Sequence, residues 1–243
     1  MLIDTHAHLY MLEDADAAVK NFDGKIIVPA TEPADFPVIL ELCEKYENVY
    51  GMFGIHPTEA HNFPLSVFNF PFSKKIIGIG EIGLDYHHDA STADAQKDVF
   101  TRLIKLANEL NLPMNVHDRE AHEDVWEILQ ENNAGSKVIM HCFSGDLAFA
   151  WACVEAGYYI GVGGVVTFKN AHILKEVAAG VPLQNIVLET DTPFLAPVPH
   201  RGAPNEPAYV RFVAEEIARL RGISPEEVAK VTTQNVRDIF KLS

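Results

Sequence analysis

Between Lys75 and Asp118 the chain reads KIIGIGEIG (Lys75 to Gly83), then AQKDVFTRLIKLANEL (Ala95 to Leu110), then LPMNVHD (Leu112 to Asp118). The first and last segments are short apolar runs of strand length. In the middle one, Val99, Leu103, Leu106 and Leu110 recur at helical spacing. A buried strand, an amphipathic helix and a second buried strand make a parallel crossover unit. The same rhythm extends in both directions. Candidate strands are Leu2 to Asp4, Lys25 to Ala30, Tyr50 to His56, Lys75 to Gly83, Leu112 to Asp118, Lys137 to Phe143, Tyr158 to Gly164 and Asn185 to Asp191. EDVWEILQEN (Glu123 to Asn132) repeats the helical pattern. Eight apolar strands, each followed by a crossover, predict an α/β fold of the (β/α)8 TIM-barrel type, formed as a single domain over residues 1–243. A doubly wound open sheet competes, but no G-x-G-x-x-G follows the first strand.

Composition narrows the class. With 243 residues, 48% of them hydrophobic, the chain can bury a large core. No apolar run is long enough to span a bilayer, and Asp4 and His6 interrupt any signal-peptide layout, so a cytoplasmic protein is expected. Cys43, Cys142 and Cys153 form no C-x-x-C and read as reduced core thiols. Asp and Glu outnumber Lys and Arg by 34 to 19, which argues against a protein that wraps long duplex nucleic acid. No obligate protein partner is evident.

A barrel places its active site on the loops at the carboxyl ends of its strands. Those ends carry His6 and His8 (strand one), His56 (three), Glu81 (four), His117 (five), His141 (six), and Glu189 and Asp191 (eight). His6 and His8, one residue apart, leave the first strand on the same side. Six groups, His6, His8, Glu81, His117, His141 and Asp191, are too many for one tetrahedral zinc and suit two divalent ions sharing a carboxylate. Glu81 is the natural bridge, because each carboxylate oxygen can take a different ion. Its setting, GIGEIGLDY, lets the backbone approach a crowded centre.

In order and spacing, DTHAHL, GIHP, GEIGLDY, NVHDREAHED, HCFSG, GGVVTFKNA, ETDTPFL and RGAPNEPAYV resemble the TatD family of metal-dependent deoxyribonucleases within the amidohydrolase superfamily. The resemblance covers essentially the whole chain. It implies a two-metal barrel with His6, His8, Glu81 and Asp191 around one ion and Glu81, His117 and His141 around the other. It also implies DNA as substrate, at ends or in single strands. Superfamily relatives often bridge their metals with a carboxylated lysine from strand four. This chain has Glu81 there, as the TatD branch does.

Two adjacent cations acidify a bridging water and neutralise charge on the departing oxygen. Asp191, with Glu81 the candidate catalytic pair, can accept the proton of that water and return it to the leaving group. The same centre can attack the carbonyl carbon of an amide, lactone or aminoacyl ester. Histidine and carboxylate ligands accept zinc, manganese, magnesium, cobalt or nickel alike. The resemblance suggests a substrate-side or outer role for His56 and His61. Arg119 can contact a phosphate or pair with Asp118 or Glu120. Asp85 and Tyr86 can orient a metal-bound histidine through its free ring nitrogen. The proline-rich stretch from Thr192 to Pro207 reads as a stiff rim from which His200, Arg201 and Asn205 can reach substrate. In the family this loop commonly runs R-G-K-x-N-E-P. Here Ala203 and Pro204 follow Gly202, so the usual lysine is absent.

Overall fold

The computed structural model describes residues 1–62, 73–135 and 137–242. Eight parallel strands pair strictly in chain order. They are β1 (Ile3–Asp4), β2 (Lys25–Pro29), β3 (Val49–Phe53), β4 (Ile76–Asp85), β5 (Met114–Arg119), β6 (Val138–Met140), β7 (Tyr159–Val162) and β8 (Ile186–Leu188). Three backbone hydrogen bonds join the two edges. Thr5 N–H donates to Leu188 O (3.0 Å), Asp191 N–H to His6 O (2.9 Å) and His8 N–H to Thr192 O (2.8 Å). The sheet is therefore a nearly closed (β/α)8 barrel, and its seam is made by the same segments that carry His6, His8 and Asp191.

Helices α1 (Ala15–Lys20), α2 (Phe36–Lys45), α3 (Tyr86–Asp89), α4 (Ala93–Leu110), α5 (His122–Glu131), α6 (Leu147–Glu155), α7 (His172–Gly180), α8 (Val210–Arg221) and α9 (Pro225–Phe240) complete the chain. Strand alternation divides the core into two layers. Ile26 and Val28 face the helices, whereas Ile27 faces the barrel interior with Ile3, Met52, Ile139 and Val187. The interior layer is covered at its amino-terminal end by Val236, Ile239 and Phe240 of α9. Asn235 anchors that helix, donating from its amide to Leu183 O and Ile186 O. The opposite end of the barrel is left for the site.

Most strands are shorter than their apolar runs. Their ladders stop before His56, His141 and Asp191; the N–H groups of His56 and Asp191 bond rim carbonyls, Thr31 O and His6 O, while that of His141 still bonds Val116 O of β5. β4 and β5 instead run past the expected ends, to Asp85 and Arg119. In α4, the buried face is Val99, Phe100, Leu103, Ile104 and Ala107. Leu110, expected on that face, lies in the last turn before the left-handed Asn111 and is 42% exposed.

Pairing of β4 with β5 slips between Ile79 and Ile82, which oppose Met114 and Val116, so Gly80 and Glu81 contain one residue too many for the ladder. Such a bulge re-aims a side chain. Ile79, Ile82 and Leu84 all stay in the outer layer, while Glu81 is turned to the barrel mouth, 3% exposed. Gly83 has φ +145°, and a Cβ there would lie 1.9 Å from His117 O. A Cβ on Gly54 would meet Glu81 O at 2.5 Å. The glycines of this region are therefore what let β3, β4 and β5 close around Glu81.

Candidate metal centre

The six predicted donors converge. His6 Nε2 lies 3.1 Å from His8 Nε2. Asp191 Oδ1 lies 3.5 Å from His8 Nε2 and 3.9 Å from the Nε2 atoms of both His6 and His141. Glu81 presents its two oxygens to different partners. Oε2 is 3.4 Å from His6 Nε2 and 3.7 Å from His8 Nε2, whereas Oε1 is 2.7 Å from His117 Nδ1 and 3.8 Å from His141 Nε2. His56 Nε2 stands 3.6 Å from that same Oε1.

The far side of each ring is fixed in turn. His6 Nδ1 meets Asn115 Oδ1 at 2.9 Å, and His8 Nδ1 meets Tyr10 Oη at 3.2 Å. His117 Nε2 is 3.1 Å from Asp85 Oδ2. His141 Nδ1 is 3.1 Å from Glu189 Oε2, an ion-pair distance but off the line of a hydrogen bond. Asp85 thus has the orienting place expected for it. Tyr86 does not, since its hydroxyl donates to Asp124 at 2.5 Å. Asn115 and Glu189 complete the arrangement, although sequence reasoning gave them no role. The available signal was position: Asn115 precedes His117 by two residues on β5, hence on the same face.

Charge and burial fit divalent cations. Burial keeps His6 below its ordinary pKa, and its Nδ1 donates to Asn115, so Nε2 offers a lone pair to the centre. Two histidine nitrogens and two carboxylates then face one another in a buried space, a donor set that needs positive charge. Burial alone would raise the pKa of Glu81 and lower that of the histidines. Instead Glu81 is held well below its usual range by His56, His6 and His117. Burial likewise opposes the charge on His117 and His141, but Asp85 and Glu81 push His117 up to about 9, and Glu189, Glu81 and Asp191 push His141 up to about 10. In the metal-free protein, protons on these two rings supply the missing positive charge.

His8, Glu81, His117, His141 and Asp191 line the floor of a cleft of about 920 Å³, with His6 fully buried behind them. Its rim is acidic, with Glu32, Glu59, Asp118 and Glu120, and Arg119 is its one Lys or Arg among the described residues. Met11, Phe194 and Leu195 add an exposed apolar edge. The remaining substrate-side candidates divide. His56 and Arg119 line the cleft, but His61, Arg201 and His200 do not. Arg201 lays its guanidinium 4.4 Å over the Phe168 ring, and His200 stacks on Tyr209 at 4.1 Å. Asn205 is fully buried, donating to Thr190 O (2.7 Å) and Phe194 O (2.8 Å), and cannot reach a substrate. It ties the proline-rich loop to the end of β8 instead. Burial pushes the Cys142 thiol far up, as befits an inert thiol.

A parallel barrel with a histidine and carboxylate cluster at the carboxyl end of its strands is the architecture of a metal-dependent hydrolase. Residues 3–241 match the TatD related DNase family, and the chain belongs to that family. It is 40% identical over 255 residues to the uncharacterized metal-dependent hydrolase YabD of Bacillus subtilis, with all of both chains covered. It is 36% identical over 256 residues to the similarly described YcfH of Escherichia coli K12, covering 99% of this chain and 96% of that one. The crystal structure of the TatD homologue YjjV from E. coli superimposes with a TM-score of 0.94 at 31% identity, over 100% of this chain and 98% of the other. Among the described residues, no helix is long and apolar enough to cross a membrane.

Proposed function

We infer that the chain is a deoxyribonuclease that hydrolyses phosphodiester bonds at DNA ends or in single strands, using two divalent cations. The two-cation reading is carried by the two-sided placement of Glu81, one oxygen toward His6 and His8 and the other toward His117 and His141, and the choice of DNA is supported by the match to the TatD related DNase family. Cations bound there would lower the pKa of water and neutralise charge on the attacking and leaving oxygens.

The chain's own residues supply the rest. Burial raises the Asp191 pKa, but His8, His141 and His6 outweigh it and hold the carboxyl below its ordinary value. Asp191 is therefore ionised at neutral pH, and its side chain is 16% exposed to the cleft. It can take a proton from the attacking water and deliver it to the leaving oxygen. Burial lowers His56 to about 4, so its ring is neutral. His56 Nδ1 lies 2.7 Å from Thr58 Oγ1, and its Nε2 faces the centre, 3.6 Å from Glu81 Oε1. His56 is thus suited to donate a hydrogen bond to a substrate oxygen rather than to act as a base. Arg119, on the rim, can pair with a phosphate.

The acidic rim favours a second reading, an amidohydrolase-type enzyme acting on an amide, lactone or aminoacyl ester, whose neutral substrate needs no cationic wall. Metal-reconstituted protein assayed on single-stranded DNA, duplex DNA, RNA, amides and aryl esters separates the two. Turnover of single-stranded DNA above the others is expected. Turnover confined to amides or carboxylic esters would replace the nuclease assignment.

A further inference from the structure

A second depression of about 570 Å³ lies between α5 and α6, lined by His122, Glu123, Trp126, Asp146, Phe149 and Ala152, with Ser144 and Gly145. It is continuous with the catalytic cleft, because His122 and Ser144 line both. Both are held by the residue after His117. His122 Nδ1 is 2.7 Å from Asp118 Oδ2, and Ser144 Oγ donates to Asp118 O at 3.3 Å.

Its wall is aromatic and layered. The His122 ring stacks on Phe149 at 5.3 Å and 30°, and Trp126 meets Phe149 edge-on at 6.1 Å and 78°. Both Trp126 and Phe149 are half-buried, so each keeps part of its ring available. Gly145 lets the Phe149 ring pack directly on the backbone, since a Cβ there would lie 2.5 Å from Phe149 Cδ1. Among the described residues no Lys or Arg lines the depression, and Glu123 and Asp146 are its acidic groups. A phosphate is therefore the wrong occupant. A flat neutral ring carrying amino donors fits both the rings and the carboxylates. Asp146 Oδ1 already accepts from Phe149 N–H, which leaves Oδ2 for such a donor.

Resting on the nuclease assignment, we propose that this depression is a nucleobase subsite, where a base flanking the scissile phosphate stacks beside Trp126 and Phe149 as the strand leaves the cleft past Arg119 and His122. Adenine, cytosine and guanine carry an exocyclic amino group that the carboxylates can accept. Thymine lacks that group and offers only its ring N3–H, so a thymine at this position gains less from the carboxylates.

The test compares a single-stranded oligonucleotide with bis(4-nitrophenyl) phosphate, a diester too small to span cleft and depression. Stacking of one base on an aromatic side chain is typically worth ~5- to 100-fold in binding. Trp126→Ala is expected to lower the ratio of kcat/KM for the oligonucleotide to that for the small diester by a factor in that range. Trp126 also packs on the core, so Ala152→Gln, which fills the depression from a half-buried helix position, provides an independent variant. With the parent enzyme, a single abasic nucleotide moved along the strand should raise KM sharply at one position only. Oligo(dA) and oligo(dC) should have lower KM than oligo(dT). If the oligonucleotide is cleaved but the ratio holds within twofold in both variants and every abasic position is tolerated alike, the subsite is refuted while the nuclease assignment stands. If the parent cleaves no oligonucleotide, both fall together.

Discussion

Asp191→Asn separates holding a cation from moving a proton. Asp191 has φ +59°, a left-handed conformation that asparagine tolerates better than most residues, so the substitution keeps the backbone as well as the side-chain shape. Its Oδ1 lies within 3.9 Å of the Nε2 atoms of His6, His8 and His141, and the variant still places a neutral oxygen or amide there. What it removes is the ionised carboxylate, held below its ordinary pKa by those histidines. Loss of one positioned acid/base group typically lowers the rate by a factor of ~10² to 10⁴. That corresponds to about 3 to 5 kcal/mol in the barrier. The assay is kcat on a single-stranded oligonucleotide, with metal content of the same preparation read by mass spectrometry. Turnover should collapse while most metal remains, and excess metal should not restore it. His6→Asn is the contrast. His6 has no proton-transfer role in this scheme, so its defect should be metal loss, partly rescued by added metal. If added metal returned Asp191→Asn to near-parent activity, Asp191 would be a ligand only and the base would lie elsewhere.

Glu81→Ala should lower metal occupancy on both sides of the centre, because its two oxygens face separate donor sets; a variant that still bound two ions per chain would remove Glu81 as the bridge. His117 and His141 have pKa values raised to about 9 and about 10, so the metal-free protein gains stability from their protons that is complete below about pH 6.5 and lost as pH rises through 9 to 10. Melting temperature of metal-free protein should fall over that window. Between pH 7 and 8, metal binding should release about two protons, measurable by calorimetry in buffers of different ionisation enthalpy; pH-independent metal affinity there would contradict the assignment. Asn205→Ala should leave the Thr190 and Phe194 carbonyls without their amide donor, the first of them buried, and cost about 1 to 3 kcal/mol in urea denaturation. A large rise in KM without loss of stability would return Asn205 to a substrate role. With Arg119 the one Lys or Arg on the cleft lining among the described residues, log K for single-stranded DNA should fall against log salt with a slope shallower than about −2.

By itself, the sequence determined the barrel and singled out the six residues that meet at its mouth. Eight apolar runs alternating with helical patterns have few ways to be buried, and a strand's period of two carries His6 and His8 to one side wherever the strand lies. Those are local regularities, so local reading reaches them. Tertiary structure alone decided which oxygen of Glu81 faces which histidine. That depends on the bulge at Gly80 and Glu81, where β4 sets two residues against one of β5. It also decided the outer partners. Asn115 and Glu189 matter because strands far apart in sequence put them behind His6 and His141, at contacts of 2.9 and 3.1 Å. The proline-rich loop shows the reverse. Its polar residues looked free to meet substrate, but the fold turned Asn205 inward, where its amide donates to the carbonyls of Thr190 and Phe194. A polar side chain's partner is fixed by whichever unpaired backbone group the closed barrel leaves beside it, and that is known only when the chain has come together.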